Sequence, residues 1–247
     1  MKQYNTFIFD HRGITSLLNS TLGLYEKSIL SDHNQIYINS DRSIYFKELS
    51  FFNIFKPNEV LSDIAPEKNN IVPIHGRDAR WFAHKQYKPR LSPKEMSKCF
   101  CFTDEIKSKI ELKIKSLNLP SNYSCFHIRR GDKLIIEAKK FDFSSYLAKA
   151  KELDNIFIMS DDYTSIEEAK SFISNNNLNY KIFSLTKNSQ RGNVEKEGRF
   201  LEEDIIQFFA ETEIAKSSKK FVGTISSNIY RYIKCTSASC SDFHSLD

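Results

Sequence analysis

An α/β fold built on parallel strands is what this chain predicts. Three observations predict it: short apolar strands stop abruptly in charged residues, helical stretches separate them, and the second half alternates strand with helix. In open α/β sheets ligands gather beyond the carboxyl ends of strands, so those charged stops are also the functional candidates. The 247 residues can bury a sizeable core in one or two domains. With 40% hydrophobic and 27% charged residues, the composition is that of an ordinary globular protein and excludes a disordered chain.

In chain order, Tyr4 to Phe9 reads as a strand that turns through Asp10-His11-Arg12-Gly13 into an apolar-periodic helix over Ile14 to Leu30. Gln35 to Asn39 is the next strand. Phe46, Phe51, Phe52 and Phe55 are spaced for one or two helices burying a face, with core packing as their role. Ile71 to His75 is a short strand, and Gly76 to Trp81 a loop; Trp81, the single tryptophan, reads as a packing residue. A helix from Ser92 to about Lys115, broken near Cys99, leads to Pro120, where the chain divides into residues 1–118 and 119–247.

Beyond that boundary, Tyr123 to Ile128 is a strand, Phe141 to Leu153 an amphipathic helix, Ile156 to Met159 a strand, Thr164 to Ser174 a helix and Tyr180 to Leu185 a strand. Thr186 to Gly198 is a polar loop long enough to be functional, flanked by Arg191 and Arg199. A helix from Phe200 to Lys216 then leads into the last strand.

Three strand ends carry the chemistry. The first runs His127-Ile128-Arg129-Arg130-Gly131-Asp132-Lys133, and arginine's planar fork of donors matches phosphate, so two arginines here read as a diphosphate clamp; the alternative is a solvated basic turn. Arg130-Gly131-Asp132 is not read as an adhesion sequence, because the apolar strand before it argues against an exposed loop tip. The second is Ser160-Asp161-Asp162, whose paired carboxylates could hold a divalent metal, accept from a guanine edge or sugar hydroxyl, or cap the helix beginning near Thr164. The third runs from Lys220 through Gly223 to Thr224-Ile225-Ser226-Ser227, where the unpaired N–H groups of a helix N-terminus favour phosphate; a plain N-cap serine is the alternative.

Together these stretches resemble the fucosyltransferase superfamily of α1,6-fucosyltransferases, nodulation fucosyltransferases and protein O-fucosyltransferases, and are most similar to the α1,6 branch. The first motif matches at His127 to Lys133, with its trailing glutamate at Glu137; the second matches at Ser160 to Asp162 and the third at Thr224 to Ser227. Phe243 to Asp247 also looks like a segment of the α1,6 enzymes, and the resemblance spans about residues 80 to 247. It departs at the first turn, where family members carry a glycine-rich stretch and this chain has Asp10-His11-Arg12-Gly13.

What the resemblance implies is a GT-B fold, two Rossmann-like lobes with a cleft between them, carrying out inverting transfer of fucose from GDP-fucose to a glycan; the alternatives are the same fold using another GDP-sugar donor, and a non-catalytic module that binds GDP or a GDP-sugar. Residues 1–118 would form the acceptor-side lobe and 119–247 the nucleotide-sugar lobe. Arg129 would hold the β-phosphate and stabilise the departing GDP, with Arg130 in support. His127 would contact the ribose or guanine side, Asp162 or Asp161 would accept from guanine, and Thr224, Ser226 and Ser227 would bind phosphate. Glu137 would be the general base, Lys133 would tune or relay its proton, and Asp132 would fix an arginine. The chemistry asks independently for a base on the acceptor hydroxyl and positive charge on the diphosphate. The alternative for Glu137 is an exposed acid beside Lys139 and Lys140. With arginines on the phosphates, no metal is needed, and the paired aspartates are not read as metal ligands.

A net charge of +5 suits an anionic nucleotide sugar, and the absence of a lysine-rich tail or aromatic-basic stripe argues against nucleic acid. No signal peptide and no apolar run near the ~20 residues of a membrane span is present, which predicts a cytoplasmic protein. Cys99, Cys101, Cys125, Cys235 and Cys240 lack a zinc spacing and read as free thiols.

Overall fold

A computed structural model describes residues 4–8, 13–30, 35–39, 49–64, 71–74, 84, 86–130, 139–150, 153–192 and 201–247, with the backbone alone for 4–8 and 71–74. The chain divides into two compact units, Met1–Lys109 with Arg199–Ile206, and Ile110–Gly198 with Gln207–Asp247.

The first unit holds a parallel sheet of β1 (Tyr4–Ile8), β2 (Gln35–Asn39), β3 (Leu61–Ser62) and β4 (Ile71–Ile74), in the order β3-β2-β1-β4. β1 pairs with β2 from Tyr4↔Gln35 to Ile8↔Asn39. Helix α1 (Ile14–Leu30) follows β1 and is buried over most of its circumference, which explains its continuous apolar and small residues rather than a narrow stripe. Its one buried acid, Glu26, accepts the Leu91 amide at 2.8 Å, the Arg90 amide and the Tyr87 hydroxyl. A buried carboxylate needs such donors, and here they pin the 87–91 segment to α1.

In the aromatic stretch the described residues form one short helix, α2 (Phe51–Ile54), opened by a capping box between Ser50 and Asn53; Phe46 lies outside the described residues. The helix expected from Ser92 breaks near Cys99 as expected: α3 (Pro93–Met96) with its Ser92/Glu95 capping box, a 3-10 turn at Ser97–Cys99, then α4 (Asp104–Lys115). The break has a packing cause. Phe55 bridges to Phe102 and stacks on it at 5.4 Å, with Phe100 at 4.9 Å, so residues 100–102 turn inward to the phenylalanine cluster instead of continuing a helix.

The second unit is a five-stranded parallel sheet in the order β7-β6-β5-β8-β9. Its elements are β5 (Ser124–Ile128), α5 (Phe143–Leu147), β6 (Asn155–Ser160), α6 (Thr164–Asn175), β7 (Lys181–Phe183), α7 (Glu202–Ser217), β8 (Lys220–Gly223), α8 (Asn228–Thr236) and β9 (Asp242–Ser245). β5 is buried at every position, as a central parallel strand covered on both faces must be. Phe126 and Ile128 point into a core with Phe143, Tyr146, Ile158, Ile166 and Val222. Alternation sends Tyr123, Cys125 and His127 to the opposite face, and the Tyr123 hydroxyl donates to the Ile214 carbonyl of α7 at 2.7 Å, so α7 covers that face.

Two expected extents shorten. α5 ends at Leu147, where the amides of Lys149 and Ala150 bond three residues back and tighten the chain out of the helix; β7 keeps only Lys181–Phe183. β9 lies within the segment noted only as a family-like close, and it is a parallel edge strand registered Gly223↔Ser245 against β8.

Candidate active site

Because β5, β6, β8 and β9 are parallel neighbours, their carboxyl ends line one edge of the second sheet, and Arg129, Asp161, Thr224 and Asp247 each lie just beyond a strand there. Hydroxyls tie the strand ends together. Ser160 Oγ donates to the Ile128 carbonyl at 2.7 Å, and Thr186 Oγ1 to the Ser160 carbonyl at 3.0 Å.

Asp161 organises the arginines. Its Oδ2 lies 2.8 Å from Arg129 Nη1, and its Oδ1 accepts the Arg130 amide at 2.9 Å. A guanidinium offers five donors in one plane, so the carboxylate sets the orientation of that plane at the strand end. Asp162 does different work: its Oδ1 accepts the Thr164 amide at 2.9 Å and caps the first turn of α6. Adjacent in sequence, the two acids divide into an arginine anchor and a helix cap.

Arg130 is nearly buried. Its Nη2 donates to Glu168 Oε2 on α6 at 2.7 Å and to the Phe141 carbonyl at 2.9 Å. Burial raises the Glu168 carboxyl, but the hydrogen bonds and charges of Arg130 and Lys140 outweigh it and hold the pKa below its ordinary value. Asp132, Lys133 and Glu137 lie outside the described residues, as do His11, Arg12, Trp81 and Arg199.

The third motif forms a tight turn into α8. Ser227 is the N-cap, its Oγ accepting the Ile229 amide at 3.3 Å, and its own amide bonds the Thr224 carbonyl at 3.0 Å. Arg231 donates from Nη1 to the carbonyls of Ile225, at 2.6 Å, and Ser226, at 3.0 Å. The amides of the same two residues reach Asp247: Ile225 to Oδ1 at 2.7 Å and Ser226 to Oδ2 at 3.3 Å. Burial works against an ionised Asp247, yet bonds from Ser226, Ser245 and these amides lower its pKa.

Behind the edge, on the α7 face of β5, lies a polar group that sequence reasoning missed. Gln207 and Glu211 are both buried on α7, and Gln207 Nε2 donates to Glu211 Oε1 at 3.1 Å. Burial pushes the Glu211 carboxyl up to about 8, with the Asp161 charge adding to the rise. His127 is 2% exposed, and burial with the Arg129 charge brings its pKa down to about 3, so the ring is neutral at physiological pH. His127 Nδ1 and Gln207 Oε1 are buried with no hydrogen-bond partner among the described residues. One signal pointed here: Gln207 and Glu211 stand four residues apart on one helical face, and Gln207 interrupts the apolar run Ile205 to Ala210.

The segment after β7 lies against the Asp161 turn. Tyr163 donates its amide to the Gln190 carbonyl at 3.0 Å, and Gly192, at φ 71°, donates to the Asp161 carbonyl at 3.0 Å. The Arg191 side chain is exposed and bonds carbonyls of its own turn. All five cysteines are free thiols. Among the described residues there is no cluster of three metal-ligating side chains, and no helix is long and apolar enough to cross a membrane.

No protein-family model matches the sequence, and no curated protein matches it. In fold it is similar to solved fucosyltransferases. The fucosyltransferase NodZ from Bradyrhizobium superposes with a TM-score of 0.63 at 11% identity, covering 100% of this chain and 96% of that one. NodZ α1,6-fucosyltransferase co-crystallised with GDP gives 0.61 at 11% identity, covering 95% and 92%. POFUT1 in complex with GDP-fucose gives 0.58 at 10% identity, covering 99% and 97%. The chain has the α/β fold of these fucosyltransferases.

Proposed function

We propose that this protein is an inverting glycosyltransferase that moves L-fucose from GDP-fucose to a glycan acceptor without a metal ion. The observation that carries the reading is the Arg129–Asp161 pair fixed at the carboxyl edge of the second sheet, beside the turn that opens α8. Such an edge suits a diphosphate, and the solved structures of similar fold include complexes with GDP and GDP-fucose. In this reading residues 119–247 are the donor lobe of a GT-B arrangement and residues 1–118 its acceptor lobe.

Roles follow from the chemistry. Glu137 takes the proton of the acceptor hydroxyl as its oxygen bonds C1 of fucose from the face opposite GDP; the C1–O bond to the β-phosphate breaks, and configuration inverts. Lys133 adjusts the basicity of Glu137. Negative charge grows on the β-phosphate, and Arg129, held in plane by Asp161, offsets it together with the N-terminus of α8. Ser226 and Ser227 lie at that N-terminus. The buried face of His127, Gln207 and Glu211 has both donors and acceptors, including the His127 Nδ1 and Gln207 Oε1 atoms, which have no partner among the described residues, and this suits a guanine edge.

The test is calorimetric titration with GDP, GDP-fucose, GDP-mannose and UDP-glucose in the presence of a chelator, on wild type and Arg129→Ala. Guanine-selective binding that collapses in the variant is the expected result. Equal binding of the uridine nucleotide, or none at all, would overturn the reading.

A further inference from the structure

β7 ends at Phe183, yet the chain beyond it stays against the end of β6. Ser184 Oγ donates to the Ile158 carbonyl at 2.8 Å and Thr186 Oγ1 to the Ser160 carbonyl at 3.0 Å, so hydroxyls continue the contact that backbone pairing made in the sheet. A tight turn over residues 187–190 then reverses the chain, and residues 190–192 run antiparallel beside 161–163. The Tyr163 amide donates to the Gln190 carbonyl at 3.0 Å, Asp162 bridges to Arg191, and the Gly192 amide donates to the Asp161 carbonyl at 3.0 Å. Asp161 is therefore held twice: its backbone by this turn, and its carboxylate by Arg129 and the Arg130 amide.

Gln190 closes the turn with backbone and side chain together. Its amide donates to the Lys187 carbonyl at 2.9 Å, and its Oε1 accepts the Lys187 amide at 2.6 Å. The same Oε1 accepts a longer bond, 3.4 Å, from Nε2 of the buried Gln207, which also donates to Glu211 at 3.1 Å. One side-chain oxygen thus shapes the turn and ties it to α7. Both side-chain bonds use Gln190 as an acceptor, a part that a glutamate oxygen can fill and a methionine sulfur fills only weakly.

We infer that Gln190 is a positioning residue for the nucleotide: it fixes the turn that braces the Asp161 backbone, and through Asp161 it sets the plane in which Arg129 meets the diphosphate. This rests on the reading of the Arg129 edge as the diphosphate site. Gln190 itself stays off the nucleotide in this account. A carboxylate orients a guanidinium only as firmly as its own backbone is held, and the peptide of Asp161 lies just past the last residue of β6, where the ladder no longer holds it. The brace supplies what the sheet has stopped supplying. Through Gln207 it also joins the diphosphate-facing pair to the buried polar face of α7.

The experiment measures GDP affinity by calorimetry in wild type, Gln190→Met and Gln190→Glu, each with and without Asp161→Asn, and amide hydrogen exchange over peptides spanning residues 160–165. The expected result is a loss of about fivefold in GDP affinity for Gln190→Met in the wild-type background and of less than about twofold in the Asp161→Asn background, because a residue that works through the Asp161 charge has little left to work on. Exchange across 160–165 is expected to rise in Gln190→Met and to return close to the wild-type rate in Gln190→Glu, which keeps the accepting oxygen. An equal loss in both backgrounds, no loss in either, or exchange as fast in Gln190→Glu as in Gln190→Met would each overturn the inference. A wild type that binds no GDP would instead overturn the fucosyltransferase reading, and the exchange comparison, which needs no ligand, would then decide the brace alone. Should Gln190→Met fail to fold, Gln190→Asn, one methylene too short for both bonds, carries the same test.

Discussion

The Asp247 carboxylate accepts the backbone amide of Ile225 at 2.7 Å, so a side chain of the protein itself sits on the donors that open α8. Arg231 polarises the same turn from its carbonyl side. A phosphate arriving at this helix start meets an anion already in place and must displace it or share its donors. Asp247→Asn removes the competing charge, and GDP is expected to bind roughly fivefold tighter by calorimetry, since charge-assisted bonds are about twice as strong as neutral ones. Weaker binding would mean that Asp247 serves to hold the turn open for ligand.

The two neighbouring aspartates are expected to fail in different ways. Asp161→Asn keeps an acceptor for the Arg130 amide but loses the charge that orients Arg129, so GDP affinity drops about tenfold with a small change in melting temperature. Asp162→Ala removes the cap on Thr164 and costs about 1 kcal/mol, a fall of about 2–4 °C in Tm, with GDP affinity near wild type. Paired calorimetry and thermal melts separate them, and equal GDP losses in both variants would refute the division.

Gly223 ends β8 where two side chains close in. A Cβ there would stand 3.0 Å from Tyr230 Cδ2 and 3.4 Å from the His127 Cβ, and both neighbours are buried. Gly223→Ala forces Tyr230 or the β5–β8 spacing to shift, and the expected cost is about 1–3 kcal/mol, read as a lower denaturation midpoint. Full stability in that variant would show that α8 can move off the sheet freely.

Much of this edge was legible in the sequence because each charged group stands where an apolar run stops. Tyr123 to Ile128 is rich in aromatic and apolar residues until Arg129, and Ile156 to Met159 is apolar until Ser160 and the aspartates, so position relative to the strand followed from pattern. Direction did not. Which way the Arg130 guanidinium turns depends on Glu168, 38 residues away, and no local pattern encodes that. β9 escaped notice because all but Phe243 of its residues are polar and it is only partly buried, as an edge strand permits, and β3 because two residues carry no period. The break near Cys99 was expected, but its cause, the packing of Phe100 and Phe102 on Phe55, is a tertiary contact that no local pattern encodes.

Glu211 gives the site a pH signature whose sign is fixed by its burial. Its carboxyl is raised to about 8 from an ordinary value of 4.5, so between those limits the unfolded chain has released a proton that the folded chain still holds. Stability must then fall as pH rises through that window, with a slope of at most about 1.4 kcal/mol per pH unit, and level off above it. Glu211→Gln, which keeps the shape and removes the proton, is expected to flatten this part of the profile in denaturant titrations from pH 5 to about 8. Guanine donors would favour the ionised form, so GDP binding near neutral pH is also expected to release protons in the wild type and fewer in the variant, measurable by calorimetry in buffers of different ionisation enthalpy. An unchanged stability profile would show Glu211 already ionised in the free protein; equal proton release in both would place the guanine elsewhere.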